Sequence, residues 1–229
     1  MNQLYIWRNT LGRKQKGVPQ NADTWLSDQK STKDLNNTPI KGEWISYNPH
    51  KDFYPLEERL KLPKELYLYI RIKNTPVFDW YFMHHHVMAV SEKFLFFLKE
   101  NKLDNHFEIA ELKIINKENK EFNEKKYFAI RIIKFDDSLF NLNEEIRKRA
   151  AGIKGRFIYP QMKLKKDSES QNIFFLLEFC YNESLVLTEK VKNYILSNFH
   201  SPEIYKIEDY PLVFNNSNNL EKLPDNILL

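Results

Sequence analysis

The sequence is poor in the residues from which many familiar sites are built. Only five glycines occur in 229 residues, and no Walker loop, dinucleotide fingerprint or Gly-x-Ser-x-Gly elbow is present. Nucleotide-cradling loops are therefore nearly excluded. A single cysteine, Cys180, rules out an internal disulfide framework. The longest apolar runs, such as residues 173–177, are far too short to span a bilayer. Met1 to Asn9 lacks a positive region followed by an apolar stretch, so no secretory signal is expected. Charge of one sign is scarce as well. The 35 basic and 31 acidic side chains leave a net charge of +4, too mild for the basic footprint of a nucleic-acid binder. What is present suffices for a core: 42 % of residues are apolar and 14 % aromatic, which excludes disorder of the whole chain. The expectation is a globular, cytoplasmic protein with no membrane partner.

Along the chain, Leu4 to Trp7 reads as an opening strand. Residues 9–41 are polar and punctuated by Gly and Pro, and read as a long, partly mobile excursion. Trp25 and Leu26 pin it to a surface without making a strand. Residues 44–47 suggest a short strand, 65–72 a clear one, and 79–90 an extended segment. Ser91 is placed as an N-cap, with Glu92 at the positive end of a helix that runs to about Lys102. Residues 107–115 and 127–133 alternate as the arms of a hairpin. A helix over 142–151 and strands over 155–163 and 172–179 follow. Thr188 then caps a second helix that ends near Phe199. Residues 203–207 and 211–214 read as extended, and 215–229 as a loosely docked tail.

The two helix approaches match residue for residue. Val90-Ser91-Glu92-Lys93 with Phe97-Leu98 has the same spacing as Leu187-Thr188-Glu189-Lys190 with Tyr194-Ile195. Two independently good helix starts and a weak internal duplication both account for this. The pattern predicts one α+β domain over residues 1–229, with a mixed, mostly antiparallel sheet and two principal helices.

Few constellations could carry chemistry. Of His84, His85 and His86, alternation along a strand lets only His84 and His86 converge, and the remaining histidines are remote. No metal site or cofactor is expected. Asp136 and Asp137 follow a strand, where acids serve active sites but also form ordinary turns. Gly152-Ile153-Lys154-Gly155 has the spacing of a backbone-clamping loop without the apolar helices that should flank it. No catalytic residue is assigned. The strongest charge feature is the stretch 147–166, which no acid interrupts. Arg147, Lys148, Arg149, Lys154 and Arg156 are its candidate partner-binding residues.

Val90-Ser91-Glu92-Lys93-Phe94, Glu111-Leu112-Lys113, the Tyr127-Phe128-Ala129-Ile130 strand and the Phe135-Asp136-Asp137 turn resemble immunity proteins of bacterial polymorphic toxin systems. Leu187-Thr188-Glu189-Lys190 is similar to their C-terminal end, and the likeness covers roughly residues 65–215. It departs at Ile207-Glu208-Asp209-Tyr210, where more glycine is expected, which leaves the subfamily open. The resemblance implies an α+β antitoxin-like binder, not an enzyme, that covers a cognate toxin domain in the producing cell. Two alternatives stay open: an enzyme with a site near His84, His86 and Asp136, and a nucleic-acid accessory protein using 147–166.

Overall fold

The protein is described by a computed structural model, which covers residues 3–9, 17–19, 24–30, 41–71, 75–83, 85–116, 118–166, 170–219 and 228–229. Most of the expected excursion over 9–41 and part of the expected tail lie outside these residues. The chain divides into two compact units. One is Gln15–Lys134, the inserted unit; the other joins Met1–Lys14 to Phe135–Leu229, the terminal unit. Strand β1 (Leu4–Trp7) opens the terminal unit, as expected, but its partners come from the other end of the chain.

The inserted unit holds strands β2 (Thr24–Ser27), β3 (Glu65–Ile70), β4 (Trp80–Phe82), β5 (Val87–Ser91), β6 (Phe107–Asn116) and β7 (Tyr127–Ile132). They form one sheet in the order β2-β3-β6-β7-β5-β4. Only β3 and β6 run parallel. Alternation along β6 buries Ala110, Leu112 and Ile114, while Glu108, Ile109, Glu111 and Lys113 stay at least partly accessible. Those inward residues meet Leu66, Leu68, Ala89 and Ala129 in one core. Helix α1 (Glu92–Glu100) follows β5. Ser91 Oγ accepts the Phe94 amide at 3.1 Å, and Phe94, Leu95, Phe97 and Leu98 are buried.

Two expectations fail here. Residues 24–27 are a strand, because β3 offers a free edge whose backbone groups pair with theirs. Residues 44–47 are not a strand. Glu43–Ser46 is a 3-10 turn, since the Trp44 indole N–H donates to Asp28 at 2.9 Å and its carbonyl accepts from Arg131 at 2.8 Å.

The terminal unit contains β8 (Phe140–Asn141), β9 (Lys148–Arg149), β10 (Phe157–Ile158), β11 (Lys163–Leu164), β12 (Ile173–Phe174), β13 (Leu185–Thr188), helix α2 (Glu189–Asn198), β14 (Ile204–Lys206) and helix α3 (Tyr210–Asn219). Its main sheet runs β12-β13-β1-β14, with every neighbouring pair antiparallel. The helix expected over 142–151 is instead a short 3-10 turn, Glu144–Ile146, leading into β9. There the Asn143 side chain caps the turn by accepting the Glu145 amide, and the chain then leaves it to pair as β9 with β10. The strands expected over 155–163 and 172–179 are shorter and do not pair with each other; β10 pairs with β9, and β11 with β8. Residues 211–214 are helical within α3. Pro211 sits in its first turn, where a missing N–H costs little. Leu229 donates its amide to the Ile204 carbonyl at 3.1 Å, so the chain end returns to β14.

The sequence repeat has a structural counterpart. In the inserted unit β5 leads through α1 to β6, with β7 between and antiparallel to both. In the terminal unit β13 leads through α2 to β14, with β1 between and antiparallel to both. Outside β5 lies β4 with Trp80 opposite Val90; outside β13 lies β12 with Ile173 opposite Leu187. Ser91 donates its amide to the Asp79 carbonyl and its hydroxyl to the Asp79 carboxylate. Thr188 treats the carbonyl and the side-chain oxygen of Asn172 the same way. The two modules differ in where the middle strand comes from: it ends one and begins the chain in the other. The fold class is α+β, with two principal helices that start after Ser91 and Thr188 and a third, α3. Among the described residues no helix is long and apolar enough to cross a membrane.

Candidate partner-binding surface

The five candidate residues converge on one hairpin. Arg147, Lys148 and Arg149 lie along and just before β9, Lys154 sits in the connection, and Arg156 precedes β10. The reversal needs Gly152 and Gly155, whose φ values of 72° and 75° are costly for other residues. Both glycines have open space around them, so backbone conformation and not crowding selects them.

The hairpin is braced from α3. Asn215 accepts the Ala151 amide at 2.7 Å and donates to the Arg149 carbonyl at 3.3 Å. Beneath it, the Tyr159 amide donates to the Tyr181 hydroxyl at 2.8 Å. The rings of Tyr181 and Tyr210 are 5.2 Å apart, and Tyr210 donates to the Cys180 carbonyl at 2.5 Å. Arg8 completes this base, donating to Tyr210 at 3.1 Å and to Glu183 at 2.9 Å. Burial pushes the Tyr181 and Tyr210 phenols above their ordinary value and the Cys180 thiol up to about 12. These groups stay neutral at physiological pH.

The cations are not equivalent. Arg147 is ion-paired with Glu144, and its guanidinium lies 3.9 Å from the centre of the Phe157 ring. Arg156 lies 5.0 Å over Phe179, an exposed aromatic. Lys148, Arg149 and Lys154 are exposed, and none has an ion pair among the described residues. These three carry charge with no ion pair among the described residues; Arg147 and Arg156 frame it with aromatic rings.

The alternative site residues fall in different units, His86 in the inserted unit and Asp136 in the terminal one. His85 and His86 occupy the turn between β4 and β5, with φ near 60°, and not an alternating strand. His84 lies outside the described residues. No group of three or more metal-ligating side chains occurs among the described residues. Asp136 is buried and accepts the Phe175 amide and the Gln171 side-chain amide, each at 3.0 Å. Asp137 accepts the amides of Leu177 and Glu178 at 2.8 and 3.0 Å. Both carboxylates thus fasten residues 175–178 to the unit.

Sequence reasoning missed three contributors to this molecule's surface. Asn215 resembles the start of a tail in sequence, because its bonds depend on α3, whose first residues are β-prone. Arg131 was hidden inside a well-formed strand. Phe53-Tyr54-Pro55 is an aromatic pair within a polar stretch, and that contrast is its signal in the sequence.

Fold and surface together define an α+β protein with a braced cationic hairpin and side chains near the strand ends committed to holding backbone. The chain belongs to the Immunity protein 43 family, whose model matches residues 10–222. It is thus an immunity protein of a toxin system, as the resemblance implied, over a longer stretch than the motifs covered. Among curated proteins none matches the sequence.

Proposed function

We propose that this immunity protein neutralises a cognate toxin domain by forming a stable complex with it in the cytoplasm of the producing cell, not by chemically modifying it. Family membership over nearly the whole chain carries this reading. A toxin partner is a protein, and the hairpin suits one. Lys148, Arg149 and Lys154 give an exposed cationic face that steers an acidic surface, while Phe157 and Phe179 supply apolar contact beside it. Nucleic acid is disfavoured because a net charge of +4 leaves little excess beyond this hairpin.

The test is co-expression with candidate toxin domains taken from the genes that neighbour this one. Growth should be restored, and an equimolar complex should survive size-exclusion chromatography with the toxin mass unchanged. Rescue at strongly substoichiometric protein, with the toxin covalently altered, overturns the reading. Reversing Lys148, Arg149 and Lys154 to Glu should slow association and flatten its salt dependence. Unchanged association removes the hairpin and leaves the binding reading in place.

A further inference from the structure

In the inserted unit one segment shows an aromatic pair to solvent on an unusually fixed base. Phe53 and Tyr54 are 76 % and 71 % exposed, the two highest values among the large apolar side chains described. Exposure alone would mean little on a mobile loop. Here both ends of the loop are held by a single buried cation. Arg131, 0 % exposed, donates to the Trp44 carbonyl at 2.8 Å and to the Leu60 carbonyl. Its charge is matched by Glu108, which accepts from Nε at 3.0 Å. The Tyr47 ring covers the guanidinium at 4.4 Å, and the Tyr47 hydroxyl donates to the Ile132 carbonyl at 3.2 Å. Within the loop, the Asn48 carbonyl accepts the amides of Lys51 and Asp52 at 2.9 Å, and Asp52 accepts the Asn48 amide at 2.7 Å. Leu56 and Leu60 are buried on the returning side. The backbone on either side of the aromatic tip is therefore fixed before any partner arrives.

The surrounding charges say what kind of partner fits. Arg59 pairs with Glu43 and Glu57, each at 2.7 Å, and Lys61 with Glu58 at 2.6 Å. From Glu43 to Lys61, Lys51, Arg59 and Lys61 stand against Glu43, Asp52, Glu57 and Glu58. Two of these three cations are ion-paired within the segment, and its slight acidic excess does not favour anionic lipid or nucleic acid. An aromatic centre inside a polar rim is the anatomy of a protein interface. Two aromatic side chains bury roughly 300–500 Å², against about 800 Å² for one side of a standard interface.

We propose that this loop is a second toxin-contacting surface, in which Phe53 and Tyr54 anchor the complex by entering an apolar pocket on the toxin domain. The assignment rests on the toxin-binding reading above and divides the labour: the terminal unit's hairpin steers, and the inserted unit's loop holds. Ordering costs are small because the loop is already fastened, so the anchor acts on dissociation.

The experiment is biosensor kinetics against the toxin domain that the co-expression test identifies, using wild type, the double variant Phe53→Ala with Tyr54→Ala, and the single variant Phe53→Asp. Unchanged thermal unfolding verifies that each exposed substitution leaves the fold intact. The double variant should dissociate about 100-fold faster, with association rate and salt slope unchanged; Phe53→Asp should do so at least as strongly. Wild-type dissociation by both variants overturns the loop assignment while the toxin-binding reading stands. No binding by wild type overturns both. A wild-type dimer that the double variant converts to monomer assigns the pair to a second copy of this chain and overturns the toxin assignment. So does binding to phosphatidylglycerol vesicles that the variant abolishes.

Discussion

The two units fasten their irregular segments with opposite chemistry. In the inserted unit a buried guanidinium gathers carbonyl oxygens, those of Trp44 and Leu60, with Glu108 balancing its charge. In the terminal unit two adjacent carboxylates gather backbone N–H groups, those of Phe175, Leu177 and Glu178. Each solution follows from what the segment leaves unpaired. A loop that departs from a sheet exposes acceptors or donors, and a buried side chain of the complementary kind satisfies several at once. The difference lies in charge. Arg131 is enclosed and needs Glu108, whereas each Asp is solvated by the N–H groups it binds.

Arg131→Met should destabilise the inserted unit by about 3–5 kcal/mol, because Glu108 loses its counter-charge and two carbonyls lose their donor. Denaturant unfolding measures this, and a loss below about 1 kcal/mol would mean that water replaces the guanidinium. Asp136→Ala should cost less, about 1–3 kcal/mol, by orphaning the Phe175 amide. Hydrogen exchange at Phe175 should accelerate in that variant, and unchanged protection would remove Asp136 as the clamp.

The repeated modules offer a finer test. Ser91 both caps α1 and bonds Asp79, whereas Thr188 bonds Asn172 and makes no side-chain cap bond to α2. Ser91→Ala should therefore cost about 1–2 kcal/mol and Thr188→Ala about 0.5–1 kcal/mol. The reverse order in thermal unfolding would show that the cap bond is not what distinguishes them.

The smallest effect concerns Cys180, which lies in the terminal unit. Its thiol is raised from 9.0 to about 12, chiefly by burial. Stability from keeping it neutral is complete below about pH 9 and is lost as pH rises through about 12. At pH 8 the native protein should therefore resist a thiol reagent that labels the unfolded chain fully. This thiol also compares the units. If residues 1–229 act as one cooperative domain, Arg131→Met should raise Cys180 labelling; labelling at the wild-type rate would mean that the units open separately.

Much of the inserted unit was legible because its signals are local. Phe107 to Asn116 alternates, Tyr127 to Ile132 answers it, and Ser91 stands three residues before the apolar face that Phe94 opens. The terminal unit was harder. Leu142, Ile146 and Ala150 have helical spacing, yet Ala150 is buried beside a hairpin whose partner strand comes later. Residues 211–214 look β-prone, yet Val213 and Phe214 are buried by a helix that begins at Tyr210. In both places distant partners outweighed local preference.

The sequence by itself determined the fold class, the two helix starts, their repeated approach and the cationic stretch, since each is written in runs of about twenty residues or fewer. Only the tertiary structure decided which strand lies in the middle of each module. β1 and β13 meet across some 180 residues, and no local pattern specifies a pairing at that distance. The same holds for the surfaces. Asn215 braces the hairpin and Arg131 fixes the aromatic loop because burial brings them to unpaired backbone groups, and which groups are unpaired is known only once the chain has folded.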